Sequence, residues 1–176
     1  MSEFSESYHL RTKNKEEGKD LLKRLGVRGV VFDESNNWIT ILPEGDLNSQ
    51  KDNVAAYYSG MVLHYMFAED HAWVVNLFSN GVLISAYVCA WDPELYIEKD
   101  KLDVQRFVDL LIDQGDREKL IQLFCLDTLD DIFSEMPAYK LADLLGIEHY
   151  QWLAGHDIPR HGEEIVRSNP GAELVG

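Results

Sequence analysis

The chain has 176 residues, 45% of them hydrophobic and 11% aromatic, which suits a packed globular protein with a sizeable core and excludes a disordered one. Its 31 acidic and 16 basic residues leave a formal charge of −15, a balance that repels phosphate backbones and disfavours nonspecific nucleic-acid binding. No uninterrupted apolar run reaches the ~18–20 residues of a membrane-spanning helix, and two cysteines, Cys89 and Cys125, are too few for a disulfide framework.

The opening stretch, MSEFSESYHLRTKNKEEGK, has no apolar segment of the kind a secretory signal needs, and a cytoplasmic location in a bacterium-like cell is expected. The first predicted helix runs from Lys13 to Leu25. Leu21, Leu22 and Leu25 form its apolar stripe, Asn14 is placed to cap it, and Glu16 and Glu17 lie where the helix dipole favours carboxylates. Gly26 is placed to end it. Strands over Arg28–Asp33 and Trp38–Leu42 follow, joined by Glu34-Ser35-Asn36-Asn37 as a hairpin, and Pro43-Glu44-Gly45 closes the second. Residues 46–60 are ambiguous, with Val54, Ala55, Tyr57 and Tyr58 compatible with a short helix ended by Gly60.

Residues 61–91 contain only two formally charged side chains, Glu69 and Asp70, and these sit together at an apparent turn. The stretch reads as a three-strand meander: Met61–Phe67, Ala72–Phe78 and Val82–Trp91. Ser79-Asn80-Gly81 is the strongest turn signal in the chain, because Asn and Gly tolerate positive φ. After Asp92-Pro93 the apolar period lengthens to that of helices. Val104, Phe107, Val108, Leu111 and Ile112 mark the first of these, with Asp103 as its cap. Leu120 to Phe124 mark the second, Leu129, Ile132 and Phe133 the third, and Tyr139 to Leu145 the fourth, ended by Gly146. The expected architecture is α+β: an antiparallel sheet of about five strands, a hairpin plus the meander, covered by the N-terminal helix and the C-terminal amphipathic helices. One domain is expected over 1–156, with its sheet in 27–91 and its helices in 103–154, followed by a flexible tail over 157–176.

No nucleotide, nucleophile or metal signature stands out. G-x-x-x-x-G-K, G-x-G-x-x-G and G-x-S-x-G are all absent. His149, His156 and His161 lack zinc-ligand spacing, so no metal and no cofactor is expected. Cys89 and Cys125 lie in apolar surroundings and read as small buried hydrophobes. The segment Tyr139–Ile147, with Glu148–Leu153 after it, resembles the L-A-x-L-L-G-I turn of helix-turn-helix repressors. Its would-be recognition helix carries no Arg or Lys, so helix packing explains the same residues.

Three groups remain as candidate sites. His64, Glu69, Asp70 and His71 are the nearest approach to an acid–base constellation, though the last three read equally well as a solvated turn. Trp73, Trp91 and Tyr65 would line a groove if they share one sheet face, and otherwise belong to the core. Residues 92–135 carry thirteen acidic and five basic side chains, a local balance of −8, whereas residues 1–26 carry five acidic and six basic. Within the acidic stretch Asp109, Asp113, Asp116, Asp127, Asp130 and Asp131 are the positions for contact with a basic protein. In size, charge and architecture the chain resembles the immunity proteins that neutralise bacterial toxins. That resemblance implies occlusion of a basic, nuclease-type partner by surface carboxylates, with no catalysis of its own. The alternative is a small-ligand or peptide binding domain using the aromatic sheet face, and a third reading is an enzyme of unrecognised type with His64, Glu69, Asp70 and His71 as participants.

Overall fold

A computed structural model describes all 176 residues. The chain forms an antiparallel sheet with helices on both faces, an α+β architecture with seven α-helices. The sheet has eight strands rather than about five. In chain order they are β1 (Phe4–Leu10), β2 (Gly29–Val31), β3 (Ile39–Pro43), β4 (Met61–Ala68), β5 (Ala72–Ser79), β6 (Val82–Ala90), β7 (Tyr96–Glu98) and β8 (Glu173–Val175). Their spatial order is β7-β6-β5-β4-β1-β3-β2-β8. The helices are α1 (Lys15–Leu25), α2 (Lys51–Tyr57), α3 (Val104–Val108), α4 (Arg117–Leu123), α5 (Leu129–Glu135), α6 (Pro137–Leu145) and α7 (Ile158–Ser168).

Local chemistry explains the boundaries. The Asn14 side chain caps α1 by accepting from the Glu16 N–H, and Gly26 ends it at φ 69°. Two hairpins turn on residues that tolerate left-handed backbone: Asn36 and Asn37 between β2 and β3, and Asn80 and Gly81 between β5 and β6. Gly18 lets α1 lie close to the sheet, since a Cβ there would stand 2.9 Å from Val31 Cγ2 and 3.0 Å from Ile39 Cγ2.

Alternation along each strand divides the core in two. On one face Tyr8, Leu10, Ile39 and Val62 pack beneath Leu21 and Leu22 of α1 and Val54 of α2. On the other, Leu63, Tyr65, Phe67, Trp73 and Val75 meet side chains of α3, α4, α5 and α6. Rings interlock at the centre of that layer, with Trp73 stacked on Phe124 at 5.8 Å and Tyr87 edge-on to Phe124 at 5.0 Å. Each such pair adds about 0.5–1.5 kcal/mol beyond the area it buries. The stretch expected as a tail carries α7 and β8. Ile158 and Ile165 cover Val30, Phe32 and Leu42, and β8 extends the sheet beside β2 with Leu174 opposite Val30.

The largest departure from expectation is β1, which occupies the middle of the sheet between β3 and β4. Four of its six buried positions, Ser5, Glu6, Ser7 and His9, are polar and find partners, whereas the buried Tyr8 hydroxyl has none. On the α1–α2 face Glu6 accepts from His64 Nε2 at 2.8 Å and from the Asn48 N–H at 2.8 Å, while the Asn76 amide donates to His64 Nδ1 at 3.1 Å. On the opposite face His9 bridges Ser7 Oγ and Thr40 Oγ1, both at 2.8 Å. Glu3, which is 1% exposed, accepts from Ser5 Oγ, from the Trp152 N–H and from the Tyr139 hydroxyl. A buried polar strand of this kind is stable only because hydrogen bonds replace the water it loses.

α6 ends at Gly146 (φ 77°), and the second helix of a helix-turn-helix is not formed: residues 147–153 are irregular, with Trp152 in left-handed backbone at φ 56°. No helix is long and apolar enough to cross a membrane.

Candidate functional site

The β4–β5 turn, the end of β6 and the α5–α6 junction converge on a cleft of about 280 Å³, seven of whose ten lining residues are hydrophobic. Phe67 and Trp73 form its floor as cross-strand partners on the helix-covered face of the sheet. Trp91 walls one side, packed edge-on against Phe133 of α5 at 5.5 Å and tilted against Phe67 at 6.3 Å. Met136 links α5 to α6 at φ 49°, and Pro137 then starts α6 where its missing N–H costs nothing. That tight joint brings Met136, Pro137 and Ala138 to the far wall.

Glu69 and Asp70 lie on the rim, and the turn that carries them is firmly held. The Glu69 N–H donates to the Glu3 carbonyl, the Glu3 N–H donates to Glu69 Oε2, and Ser2 Oγ donates to Asp70 Oδ2. Trp91 binds the same turn through its backbone N–H to the His71 carbonyl and its indole N–H to the Glu69 carbonyl. Glu69 Oε1 and Asp70 Oδ1 accept no hydrogen bond, and neither carboxylate pairs with a cation. Trp73 is 1% exposed, yet its indole N–H has no acceptor. The cleft therefore combines an apolar wall with two exposed carboxylates. Just behind it, burial and then the Glu3 carboxylate push the Tyr139 phenol above its ordinary pKa, so that side chain stays a hydrogen-bond donor.

The four residues of the acid–base constellation do not converge. Glu69 and Asp70 line the cleft. His71 turns to Asp92, with Nδ1 at 2.7 Å from Oδ2, and both are about half exposed. His64 lies on the opposite sheet face, bound to Glu6. Of the aromatic trio, Trp73 and Trp91 line the cleft, whereas Tyr65 is fully buried and spends its hydroxyl on the Ala138 carbonyl at 2.6 Å.

The six aspartates sit on the α3–α5 segment. Asp116 is paired with Lys119 at 2.8 Å. Asp109 accepts from Gln105, Asp113 from the Gly115 N–H and Asp131 from Thr128 Oγ1, while Asp127 and Asp130 accept no hydrogen bond. Apart from Asp116, none of the six pairs with a cation, and Asp109, Asp113, Asp127, Asp130 and Asp131 are exposed. Asp130 precedes Phe133 by three residues, so the two are neighbours on α5. Cys125, expected on an apolar helix face, is instead exposed, while Cys89 is buried and its thiol pKa raised by that burial. No group of three or more His, Cys, Asp or Glu is arranged to hold a metal ion.

Two wider depressions, of about 570 and 660 Å³, are lined mostly by polar residues. The smaller cleft is the better site because it joins apolar area to a few convergent polar groups. Phe67, Ile132, Phe133, Met136, Pro137 and Ala138 are the six lining residues absent from the candidate sites read in the sequence. Phe133 reads as part of a core stripe but is 50% exposed. Against protein-family models, curated proteins and solved structures, the chain finds no match.

Proposed function

We propose that the protein is a non-catalytic interaction module that binds a basic protein, with the cleft and α5 forming one acidic, aromatic-centred surface. The observation that carries this reading is the unneutralised charge around an exposed apolar ridge. Asp127, Asp130 and Asp131 lie at the start of α5 close in sequence to Leu129 and Phe133, which are 38% and 50% exposed, and Glu69 and Asp70 share the cleft lining with Phe133. Interfaces of this kind place aromatic anchors at the centre and charge around them, and the charge speeds and orients encounter. Occlusion of a basic toxin is the biological role such a surface suits.

The test is affinity isolation from the encoding cell, using wild type and the Asp127→Asn/Asp130→Asn/Asp131→Asn variant. Raising salt from about 0.1 M to about 1 M shrinks the Debye length from ~10 Å to ~3 Å. A basic protein retained by wild type at low salt, and lost both at high salt and from the variant, is the expected result. Retention that is indifferent to salt and to the three substitutions sinks the reading. A second reading, a small-ligand or peptide domain, is favoured by the aromatic lining alone and predicts binding that is insensitive to salt.

A further inference from the structure

We infer that the aromatic cleft is a socket for one arginine side chain of the basic partner, an inference that rests on the interaction reading above and gives it an anchor. Size narrows the ligand first. Pockets that hold drug-sized molecules run from ~300 to ~1,000 Å³, and this one, at about 280 Å³, suits a single side chain better than a cofactor.

Chemistry narrows it further. The lining asks for an apolar stem, and the rim offers Glu69 Oε1 and Asp70 Oδ1, two carboxylate oxygens without a hydrogen-bond donor. An anion is repelled there, and a purely apolar side chain leaves both carboxylates facing a dry interface. A basic side chain satisfies both halves, because its methylenes lie on apolar surface while its head remains polar. Arginine fits better than lysine, since a planar guanidinium stacks on indole or phenyl faces and forks to two carboxylate oxygens at once.

The rim is also built to keep its shape when empty. The turn bearing Glu69 and Asp70 is tied to the N-terminal strand and to Trp91, so little ordering is needed on binding.

The experiment is an NMR titration of the full chain with acetyl-arginine-amide, reading the four tryptophan indole N–H signals, with capped lysine and capped leucine as comparators. Saturable shifts of the Trp73 and Trp91 signals, stronger with arginine than with lysine and absent with leucine, are expected. Glu69→Gln/Asp70→Asn keeps an acceptor oxygen at each position while removing the charge, and weakens arginine binding by roughly fivefold or more. Phe133→Ala, at a half-exposed position that leaves the fold intact, does the same. Equal shifts with leucine, or shifts of Trp38 and Trp152 only, overturn the socket. Partner binding that survives Glu69→Gln/Asp70→Asn but not the α5 aspartate substitutions also overturns the socket, while leaving the interaction reading in place.

Discussion

The buried polar strand β1 and the aromatic cleft use similar side chains to opposite ends. Along β1 three carboxylate-, imidazole- and hydroxyl-bearing clusters are sealed from water, and each is closed on itself: Glu6 with His64 and Asn76, His9 with Ser7 and Thr40, Glu3 with Ser5 and Tyr139. At the cleft, carboxylates stand exposed without cations and Phe133 is half exposed. A group with its bonds satisfied inside the fold holds the fold together. An exposed group without a partner inside is available to something outside. By that criterion His64 and His9 are structural, despite being the most chemically suggestive residue types in the chain.

The strongest test of the contrast removes one half of a buried pair. His64→Ala leaves the Glu6 carboxylate, 5% exposed, with only the Asn48 N–H, and the expected loss of stability is about 3–5 kcal/mol. Chemical denaturation measures it. Replacing both partners, as Glu6→Leu/His64→Leu, removes the stranded charge and is expected to recover most of the loss. A double variant no more stable than His64→Ala would mean that the loss does not come from the stranded carboxylate.

A second test uses acid. Burial, reinforced by His149 and His64, lowers the His9 imidazole from its ordinary value of 6.5 to about 3. The unfolded chain takes up that proton as pH falls through 6.5, while the folded chain does not until about 3. Between those values the unfolded state binds more protons, so stability declines with falling pH. The contribution at about pH 4 is on the order of 3 kcal/mol. Carboxylates titrate in the same range, so the informative quantity is the difference between wild type and His9→Gln. The variant's stability curve should be flatter between pH 6.5 and 4, whatever its absolute stability at pH 7. Parallel curves would remove His9 from the acid response.

How far each region could be read from sequence follows from the same physics. The meander and its Asn80-Gly81 turn were legible because β4, β5 and β6 bury apolar side chains and the turn demands positive φ. β1 was not legible. FSESYHL puts Ser5, Ser7 and His9 on one face and Glu6 beside Tyr8 on the other, and nothing local shows that partners up to 147 residues away will satisfy them. α7 and β8 were missed because the Pro and Gly residues that mark a frayed tail here start α7 and lie within and just after it, at Pro159, Gly162 and Gly171. At the cleft, Trp73 and Trp91 were legible as residues that would line a groove if they shared a sheet face, and Glu69-Asp70 as a turn between apolar strands. Phe133 was not, since an amphipathic stripe does not say which of its members the neighbouring helix leaves uncovered.

The smallest expected effects are the most telling for the cleft. Phe133→Ala removes a ring that is half exposed and packs edge-on against Trp91. Its cost to stability should stay near 1 kcal/mol, well below the ~3–5 kcal/mol of a buried phenylalanine such as Phe124. Asp130→Asn, at an exposed site with no partner, should change stability by no more than about 0.5 kcal/mol. Its sign carries information. Asp130 lies in the first turn of α5, where negative charge favours the helix dipole, but it sits beside Asp127 and Asp131, whose charges repel it. If repulsion outweighs the dipole, Asp130→Asn is slightly stabilising, and most visibly at low salt. A carboxylate that costs stability where it stands fits a surface used for contact, which is the relation between stability and function that the cleft and α5 are proposed to embody. Thermal unfolding of Asp130→Asn at about 0.05 M and about 0.5 M salt decides it, because screening removes a repulsive penalty and shrinks the difference.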